Sequence, residues 1–190
     1  EWPSLLRDME EIVQDYNGDV EVEMFANSPL RVWGEVKRHR TLNQATENIY
    51  HAVNRAIVAM SKTRNVDAIQ NESAFQHISG VLSIPPKVKE NPELLREWVG
   101  MFNESVEAYK SLWMNDVKSS DAIALIPRGI KVGIIKNKNL YDLTTGYDSL
   151  RLCKTCEPEM RRTTQQESDL VMKSTIPEDL KSLMGVKCCN

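Results

Sequence analysis

Hydrophobic and polar residues alternate along two early stretches of the chain. In residues 20–25 the even positions are apolar and the odd positions are mostly glutamates, and residues 30–37 alternate in a similar way. A period of two predicts half-buried strands. Turn-forming residues at 26–29 separate the stretches, so we predict a hairpin. A second hairpin is predicted from residues 122–126 and 130–135, which flank a Pro-Arg-Gly turn.

Three helices are predicted between the hairpins, because apolar residues recur there at spacings of three and four. The first covers about residues 42–62 and the second about residues 66–82. The third has the clearest beginning, since Asn91 is a favoured N-cap and Pro92 suits the first helical position. Its apolar stripe contains Leu95, Trp98, Phe102, Val106, Tyr109 and Trp113.

The other segments carry weaker signals. Short helices are predicted over residues 5–16 and from Thr175 to about Gly185, and residues 136–139 predict a polar loop. Short apolar runs at residues 140–143 and 150–152 favour edge strands. Residues 154–169 are polar and nearly unpatterned, which is typical of a linker or a mobile arm.

These elements predict an α+β fold, in which an antiparallel sheet of hairpins packs against a cluster of three helices. We expect a leading helix over residues 1–17, a domain over residues 18–152, and a polar tail or linker with a short helix over residues 153–190. The chain begins without Met, so we interpret it as an excised domain or a processed product.

Composition and charge narrow the class of protein. The chain has 190 residues, 41% hydrophobic and 27% charged, which suits a globular domain. With 24 Lys and Arg against 27 Asp and Glu, the net charge is −3. The chain therefore lacks the basic surplus of a general nucleic-acid binder, although local basic clusters can still contact phosphates. No apolar run approaches the roughly 18 residues of a membrane span, so no membrane partner is expected.

The four cysteines lie near the end of the chain, at Cys153, Cys156, Cys188 and Cys189. A secreted domain would spread its cysteines around the core, so we expect reduced, intracellular thiols. Cys153 and Cys156 have the spacing of zinc ligands, but the adjacent pair does not. A four-thiolate zinc tail is therefore the lesser alternative to free thiols.

No group of residues in the sequence indicates catalysis. The three histidines share no metal-binding spacing, and the chain has no phosphate-binding Gly-rich loop, dinucleotide fingerprint or nucleophile elbow. We therefore expect a protein that is not an enzyme and needs no cofactor.

The densest basic run contains Lys37, Arg38 and Arg40, with His39 between the arginines. It lies where a predicted strand leads into a predicted helix. These residues are candidates for phosphate contacts, because the backbone N–H groups of a helix N-terminus also favour anions. The alternative is a solvated loop.

The predicted outer face of the first hairpin carries Phe25 and Trp33 beside glutamates that include Glu35. An aromatic ring with a neighbouring carboxylate can hold a methylated guanine, because the cationic base stacks on the ring and the carboxylate accepts its N–H groups. The alternative is that both aromatic side chains are buried under the helices.

Several short stretches follow one another in a recognisable order. A predicted hairpin after Asn17-Gly18-Asp19 is followed by RAIVAM at residues 55–60, GVLS at residues 80–83 and IALIP at residues 123–127. In this order they resemble the cap-binding domain of the polymerase basic protein 2 subunit of orthomyxoviruses. The resemblance implies a cap-binding-domain-like fold in a viral RNA-dependent RNA polymerase. It also implies the other polymerase subunits and RNA as partners, and the host nucleus as location.

In that family two aromatic rings sandwich the methylguanine of an mRNA cap, an acid reads its edge and a lysine assists. Carried across, the first ring falls near Phe25, the acid near Pro29, the lysine near His51 and the second ring near Leu82. The resemblance thus implies a non-catalytic domain with a degenerate pocket and weak or absent cap binding. Two alternatives remain open: a functional binder of 7-methylguanosine-capped RNA, and a helical protein-interaction module with a cysteine zinc tail.

Overall fold

The computed structural model describes residues 20–40, 42–61 and 72–184, and within these ranges strands and helices alternate along the chain. The strands are β1 (Glu21–Pro29), β2 (Asn43–Thr46) and β3 (Lys131–Asn139). They form a small antiparallel sheet in the order β1-β3-β2.

The helices before β3 are α1 (Leu30–Val36), α2 (Ile49–Ser61), α3 (Glu72–Val81), α4 (Pro86–Lys89), α5 (Pro92–Met114) and α6 (Ser119–Ala122). A 3-10 turn over Ile123–Leu125 precedes β3, and the helices after it are α7 (Leu140–Thr144), α8 (Tyr147–Arg151), α9 (Pro158–Met172) and α10 (Glu178–Ser182).

Contacts group the described residues into two compact units. Unit 1 takes its described residues from Glu1–Ala26, Glu35–Ala45 and Ile134–Asn190, and unit 2 takes its own from Asn27–Gly34 and Thr46–Gly133. Among the described helices, none combines the length and the apolarity that crossing a membrane requires.

Unit 1 has an apolar cluster and, separately, buried charge. The apolar cluster consists of Val20, Met24, Leu140, Leu143, Val171 and Leu180. Along β3, the alternate residues Ile134, Lys136 and Lys138 are all fully buried. A strand places alternate side chains on one face, so two lysines continue the inward face that an isoleucine begins.

Unit 2 has an apolar helical core. Its buried side chains include Ala52, Val53, Ala56, Ile78, Val99, Phe102 and Val106. Arg55 of α2 connects the surrounding elements: it donates to Glu47 Oε2 at 2.8 Å, to the carbonyl of Lys131 at 3.1 Å and to that of Gly80 at 3.3 Å. The same Glu47 oxygen accepts the Gly133 N–H at 2.9 Å.

The structure confirms the coarse prediction of a mixed α and β fold with an antiparallel sheet. The alternation of residues 20–25 correctly predicts β1, in which Met24 is buried and Phe25 is exposed. The predicted beginning of the long helix is also correct, because Asn91 Oδ1 accepts the N–H groups of Glu93 at 3.0 Å and Leu94 at 3.2 Å.

Both predicted hairpins are wrong. Residues 30–37 contain helix α1 instead of a strand. Val32 and Val36, both buried, lie four residues apart, a spacing that places them on one face of a helix as well as of a strand. Residues 122–126 contain the end of α6 and the 3-10 turn. For so short an apolar run, periodicity does not distinguish a strand from a buried helix.

The predicted first helix begins too early. Residues 43–46 form β2, and the helix begins at Ile49, where Asn48 Oδ1 accepts the Tyr50 N–H at 2.9 Å. Of the predicted second helix, the structure describes only the part that forms α3. Its earlier part, the predicted helix over residues 5–16 and the terminator Gly185 lie outside the described residues.

The largest errors concern the residues after 135. The predicted polar loop at 136–139 is the second half of β3, and the predicted edge strands are α7 and α8. The predicted linker contains α9, whose buried stripe is mostly polar: Met160, Thr164, Glu167, Ser168 and Val171. The stripe has helical spacing, but a search for apolar periodicity does not detect it. The domain boundaries after residues 17 and 152 stay predictions.

Candidate functional site

The basic run at residues 37–40 lies in unit 1, directly after helix α1. Lys37, Arg38 and Arg40 are exposed. The His39 N–H donates to the carbonyl of Val36 at 3.1 Å, so the run forms the turn that ends a helix. The expectation that it precedes a helix N-terminus is therefore wrong, because the residues before it are helical and those after it form β2.

Arg151, the last residue of α8, lies against the same helix end. Its Nη2 donates to the carbonyl of Glu35 at 3.1 Å, and the Arg38 N–H donates to that carbonyl at 3.3 Å. The guanidinium of Arg38 in turn pairs with the Glu35 carboxylate at 3.3 Å. The Nε of Arg151 is buried and has no hydrogen-bond partner among the described residues. Arg151 thus keeps an unused donor beside the basic run.

Two tight local structures place α8. A capping box begins α7, in which Asn139 Oδ1 accepts the Asp142 N–H at 3.0 Å. Gly146 then joins α7 to α8. A Cβ added at Gly146 would lie 2.9 Å from the carbonyl oxygen of Tyr141 and 2.7 Å from its ring, so only glycine fits. This close turn sets the direction of α8, the helix that carries Tyr147 and Arg151.

The ring of Tyr147 contacts both the basic run and buried charged groups of unit 1. His39 packs edge-to-face on it, with ring centroids 4.9 Å apart and an interplanar angle of 80°. The guanidinium of Arg151 lies 6.0 Å from the same ring centre. Burial, together with the charge of Arg151, lowers the pKa of His39. His39 is therefore a neutral hydrogen-bonding group at pH 7.

Four buried charged groups lie near Tyr147. Lys136 Nζ donates to Glu167 Oε1 at 2.6 Å and to the Tyr147 hydroxyl at 3.4 Å. Lys138 Nζ donates to Asp148 Oδ1 at 2.6 Å and to Glu167 Oε2 at 2.8 Å. Both ammonium groups lie near the face of the ring, 5.2 Å and 5.0 Å from its centre. We call Lys136, Lys138, Asp148 and Glu167 the buried ion network; its charges balance.

The pKa values of the network show which group titrates most easily. Burial opposes the charge of all four groups, but Asp148 and Glu167 raise the pKa of Lys138, and the two lysines lower the pKa of Glu167. Burial lowers the pKa of Lys136, against the attraction of Glu167. Burial raises the pKa of Asp148 to about 6, although Lys138 opposes the shift. Asp148 is therefore the network group whose charge changes nearest to neutral pH.

The arrangement around Arg151 suits an anion. Lys37, Arg38 and Arg40 have exposed side chains, and Arg151, which contacts the same helix end, has a donor without a partner among the described residues. Guanidinium groups bind phosphate and carboxylate oxygens through paired, charge-assisted hydrogen bonds. We call Arg38, His39, Arg40 and Arg151, with Lys37 beside them, the basic surface.

The described residues contain no candidate metal centre, because no group of three or more His, Cys, Asp or Glu side chains among them could hold an ion. Cys153 and Cys156 are present as thiols, and the Sγ of Cys153 lies 3.1 Å from Thr155 Oγ1. Cys188 and Cys189, the other half of the predicted zinc site, lie outside the described residues.

The residues predicted to hold a methylated guanine do not share one face of a hairpin. Phe25, in unit 1, is 72% exposed on β1. Trp33 lies in helix α1, and His51 is exposed on α2. Leu82 is 1% exposed and pairs through its backbone with Ile130, so it offers no open stacking surface.

Sequence reasoning places Glu35 and the basic run among the candidates, but it misses the residues that surround them. These are Arg151, Tyr147 and the buried ion network. A signal is present: Lys136 and Lys138 continue, at a period of two, the alternation of Val132 and Ile134. Their charge makes the segment resemble a loop.

The family model described as thymidylate synthase complementing protein matches residues 19–178 of the chain. A flavin-dependent thymidylate synthase of Thermococcus onnurineus, strain NA1, is 31% identical over 78 residues, which are 41% of this chain and 31% of that protein. The match thus spans about a third of the length of this curated relative.

Solved structures share the fold. A flavin-dependent thymidylate synthase, ThyX, of Helicobacter pylori in complex with FAD and dUMP superposes with a TM-score of 0.62 at 16% identity, covering 97% of this chain and 84% of that one. A UMP/dUMP methylase, PolB, of Streptomyces cacaoi bound with 5-Br UMP gives a TM-score of 0.54 at 14% identity, covering 80% and 68%. At these identities the likeness is one of fold.

These matches overturn the resemblance to an orthomyxovirus cap-binding domain. A viral polymerase subunit, a cap pocket in degenerate or functional form, polymerase subunits as partners and a protein-interaction module with a zinc tail are all wrong expectations. The expectation that the chain is not an enzyme is also wrong, since the matched proteins are enzymes. The resemblance relied on one predicted hairpin and on an order of short stretches. The hairpin does not form, because residues 30–36 are helical, and the IALIP stretch begins in a 3-10 turn.

Proposed function

The chain belongs to the family of thymidylate synthase complementing proteins, and we propose that it binds a uridine nucleotide and a flavin in the synthesis of thymidylate. The related structures hold FAD and dUMP in one case and 5-Br UMP in the other. Each of these molecules carries phosphate, and the basic surface of unit 1 has the charge and the donors that phosphate requires.

The observation that carries the proposal is the position of Arg151. Its Nη2 is held by the carbonyl that ends α1, while its buried Nε has no partner among the described residues. A buried donor without a partner costs free energy, unless a ligand accepts its hydrogen bond. An anion bound beside Arg38 and Arg151 supplies that acceptor.

The residues of the basic surface fit a flavin dinucleotide as well as a nucleotide monophosphate, because both present phosphate oxygens to a guanidinium. A bound flavin supplies hydride transfer, which no side chain can perform. In this assignment Arg38 and Arg40 hold phosphate, Arg151 orients it, and neutral His39 offers a hydrogen bond without adding charge.

Titration calorimetry with dUMP, and separately with FAD, tests the binding. We expect Arg151→Gln to lower the affinity for at least one of these ligands by roughly 10- to 100-fold, the value of a charge-assisted hydrogen bond. Arg161→Gln is the matched control: Arg161 is an exposed arginine on α9 of the same unit. Equal affinities of the two variants for both ligands would refute the assignment of Arg151.

Growth complementation tests the reaction. A thymidylate-requiring bacterial strain that expresses the unaltered chain should grow without thymidine, and the strain that expresses Arg151→Gln should grow more slowly or not at all. Soluble expression of both variants is the control. If the unaltered chain binds dUMP and FAD but never restores growth, the binding assignment holds and the thymidylate assignment fails.

A further inference from the structure

Unit 2 contains a hollow of about 400 Å³ that the proposed function does not use. It is lined by residues of α5, of the segment after α3, of the loop before β3 and of the start of α1. The residues that carry the argument are Trp98, Phe102, Leu82, Pro127, Arg31 and Arg128. None of them belongs to the basic surface or to the buried ion network, so the inference does not rest on the proposed function.

The inner wall of the hollow is aromatic and rigid. The indole Nε1 of Trp98 donates to the carbonyl of Ser83 at 3.1 Å, which fixes the orientation of the ring. Phe102 is 3% exposed and Leu82 is 1% exposed, so both are held by the core of the unit. A wall whose side chains are already ordered loses little entropy when a ligand binds. Trp98 is only partly buried, so its indole offers an aromatic ligand a face to stack on or an edge to meet.

The rim of the hollow is cationic. The backbone N–H of Arg31 donates to the carbonyl of Arg128 at 3.1 Å, so the two arginines leave the backbone at paired positions. Both are exposed, and no acidic residue lines the hollow among the residues that the structure describes. A volume of several hundred Å³ with apolar walls and a few convergent polar groups is typical of a small-molecule site.

We propose that this hollow binds a small aromatic carboxylate. The ring of the ligand lies against Trp98, and its carboxylate faces Arg31 and Arg128. A guanidinium matches the two oxygens of a carboxylate in geometry, whereas a neutral ring of the same size gains only the apolar contacts.

Calorimetric titration of the full chain with 2-naphthoate and with 2-naphthalenemethanol tests the proposal, since the two probes share a ring system and differ in charge. We expect 2-naphthoate to bind about tenfold more tightly, as a charge-assisted contact implies. Arg128→Gln should reduce that preference, and Lys118→Gln, which removes an exposed charge elsewhere in unit 2, should keep it. Equal binding of the probes, or no binding of either, overturns the proposal.

A second variant locates the bound probe. Ser105 lines the hollow from α5, and its hydroxyl is already used by the carbonyl of Met101 at 3.0 Å. We expect Ser105→Trp to fill the hollow and abolish the binding of both probes while its circular dichroism stays that of the unaltered chain. If binding persists, the probe lies elsewhere and the proposal is wrong. The proposal is also wrong if sedimentation shows that the unaltered chain forms an oligomer that binds no 2-naphthoate and that Ser105→Trp dissociates this oligomer.

Discussion

In unit 1 two fully buried ammonium groups share two buried carboxylates, whereas the Arg55–Glu47 pair of unit 2 remains partly open to solvent. The side chains of Lys136 and Lys138 are 0% exposed, and those of Arg55 and Glu47 are 37% and 23% exposed. Burial removes hydration from both members of a pair, and only attraction within the pair and further hydrogen bonds offset that loss. The two units thus place similar ion pairs in surroundings of different polarity.

The difference shows what each pair contributes. Arg55 and Glu47 also bond to backbone groups of neighbouring elements, so this pair joins separate segments of unit 2. In the buried ion network, by contrast, both lysine ammonium groups lie over one aromatic ring, Tyr147, which also contacts His39 and Arg151. The network of unit 1 thus packs against the same ring as two residues of the basic surface.

Glu167→Gln is expected to have the largest effect on stability. Glu167 accepts hydrogen bonds from both lysines, so its loss leaves buried positive charge without compensation. Breaking a buried pair from one side costs about 3–5 kcal/mol of unfolding free energy. Urea denaturation measures the change. Asp169→Asn, on an exposed position of the same helix, is the matched control and should stay within about 0.5 kcal/mol. A Glu167→Gln variant as stable as this control would show that the network is not charged.

Arg55→Met is expected to cost less, about 2 kcal/mol, because solvent reaches the site and Glu47 keeps its bond to the Gly133 N–H. The loss comes mainly from the carbonyl of Lys131, because that of Gly80 still accepts a hydrogen bond from Asn27 Nδ2 at 2.6 Å. The same urea titration checks this value. A cost equal to that of Glu167→Gln would remove the distinction between the two units.

Local signals explain which parts of this fold follow from the sequence. Helix α5 is predictable because its cap, its first proline and its apolar stripe lie within one segment. Helix α9 also has a local beginning, since Glu157 accepts the Met160 N–H and Pro158 follows it. However, its inward residue Glu167 is buried only because lysines from β3 face it, and the sequence around α9 does not reveal that partner.

The candidate site divides in the same way. The basic run is visible as four consecutive residues, so the sequence alone suggests it as a phosphate candidate, a role that stays a prediction. Arg151 lies more than a hundred residues further along the chain, in a segment whose short apolar run favours an edge strand. Its approach to the Glu35 carbonyl depends on the turn at Gly146, which only the folded chain shows.

The smallest expected effect is a pH dependence that belongs to Asp148. Burial raises the pKa of this carboxyl from its ordinary value of 3.8 to about 6 in the folded chain, so the folded state binds its proton more tightly than the unfolded state does. The stability that results is fully present below the unfolded pKa and is lost as the pH rises through about 6. Between pH 7 and pH 5 the unaltered chain should therefore gain about 1 kcal/mol of unfolding free energy relative to Asp148→Asn, which has no carboxyl to titrate.

Other groups, such as His39, titrate in both proteins and cancel in this difference. Urea denaturation of both proteins at several pH values measures it. If the difference in unfolding free energy does not change with pH, Asp148 stays charged over this range and the prediction is wrong. If the difference shrinks towards pH 5, folding lowers the pKa of Asp148 instead of raising it.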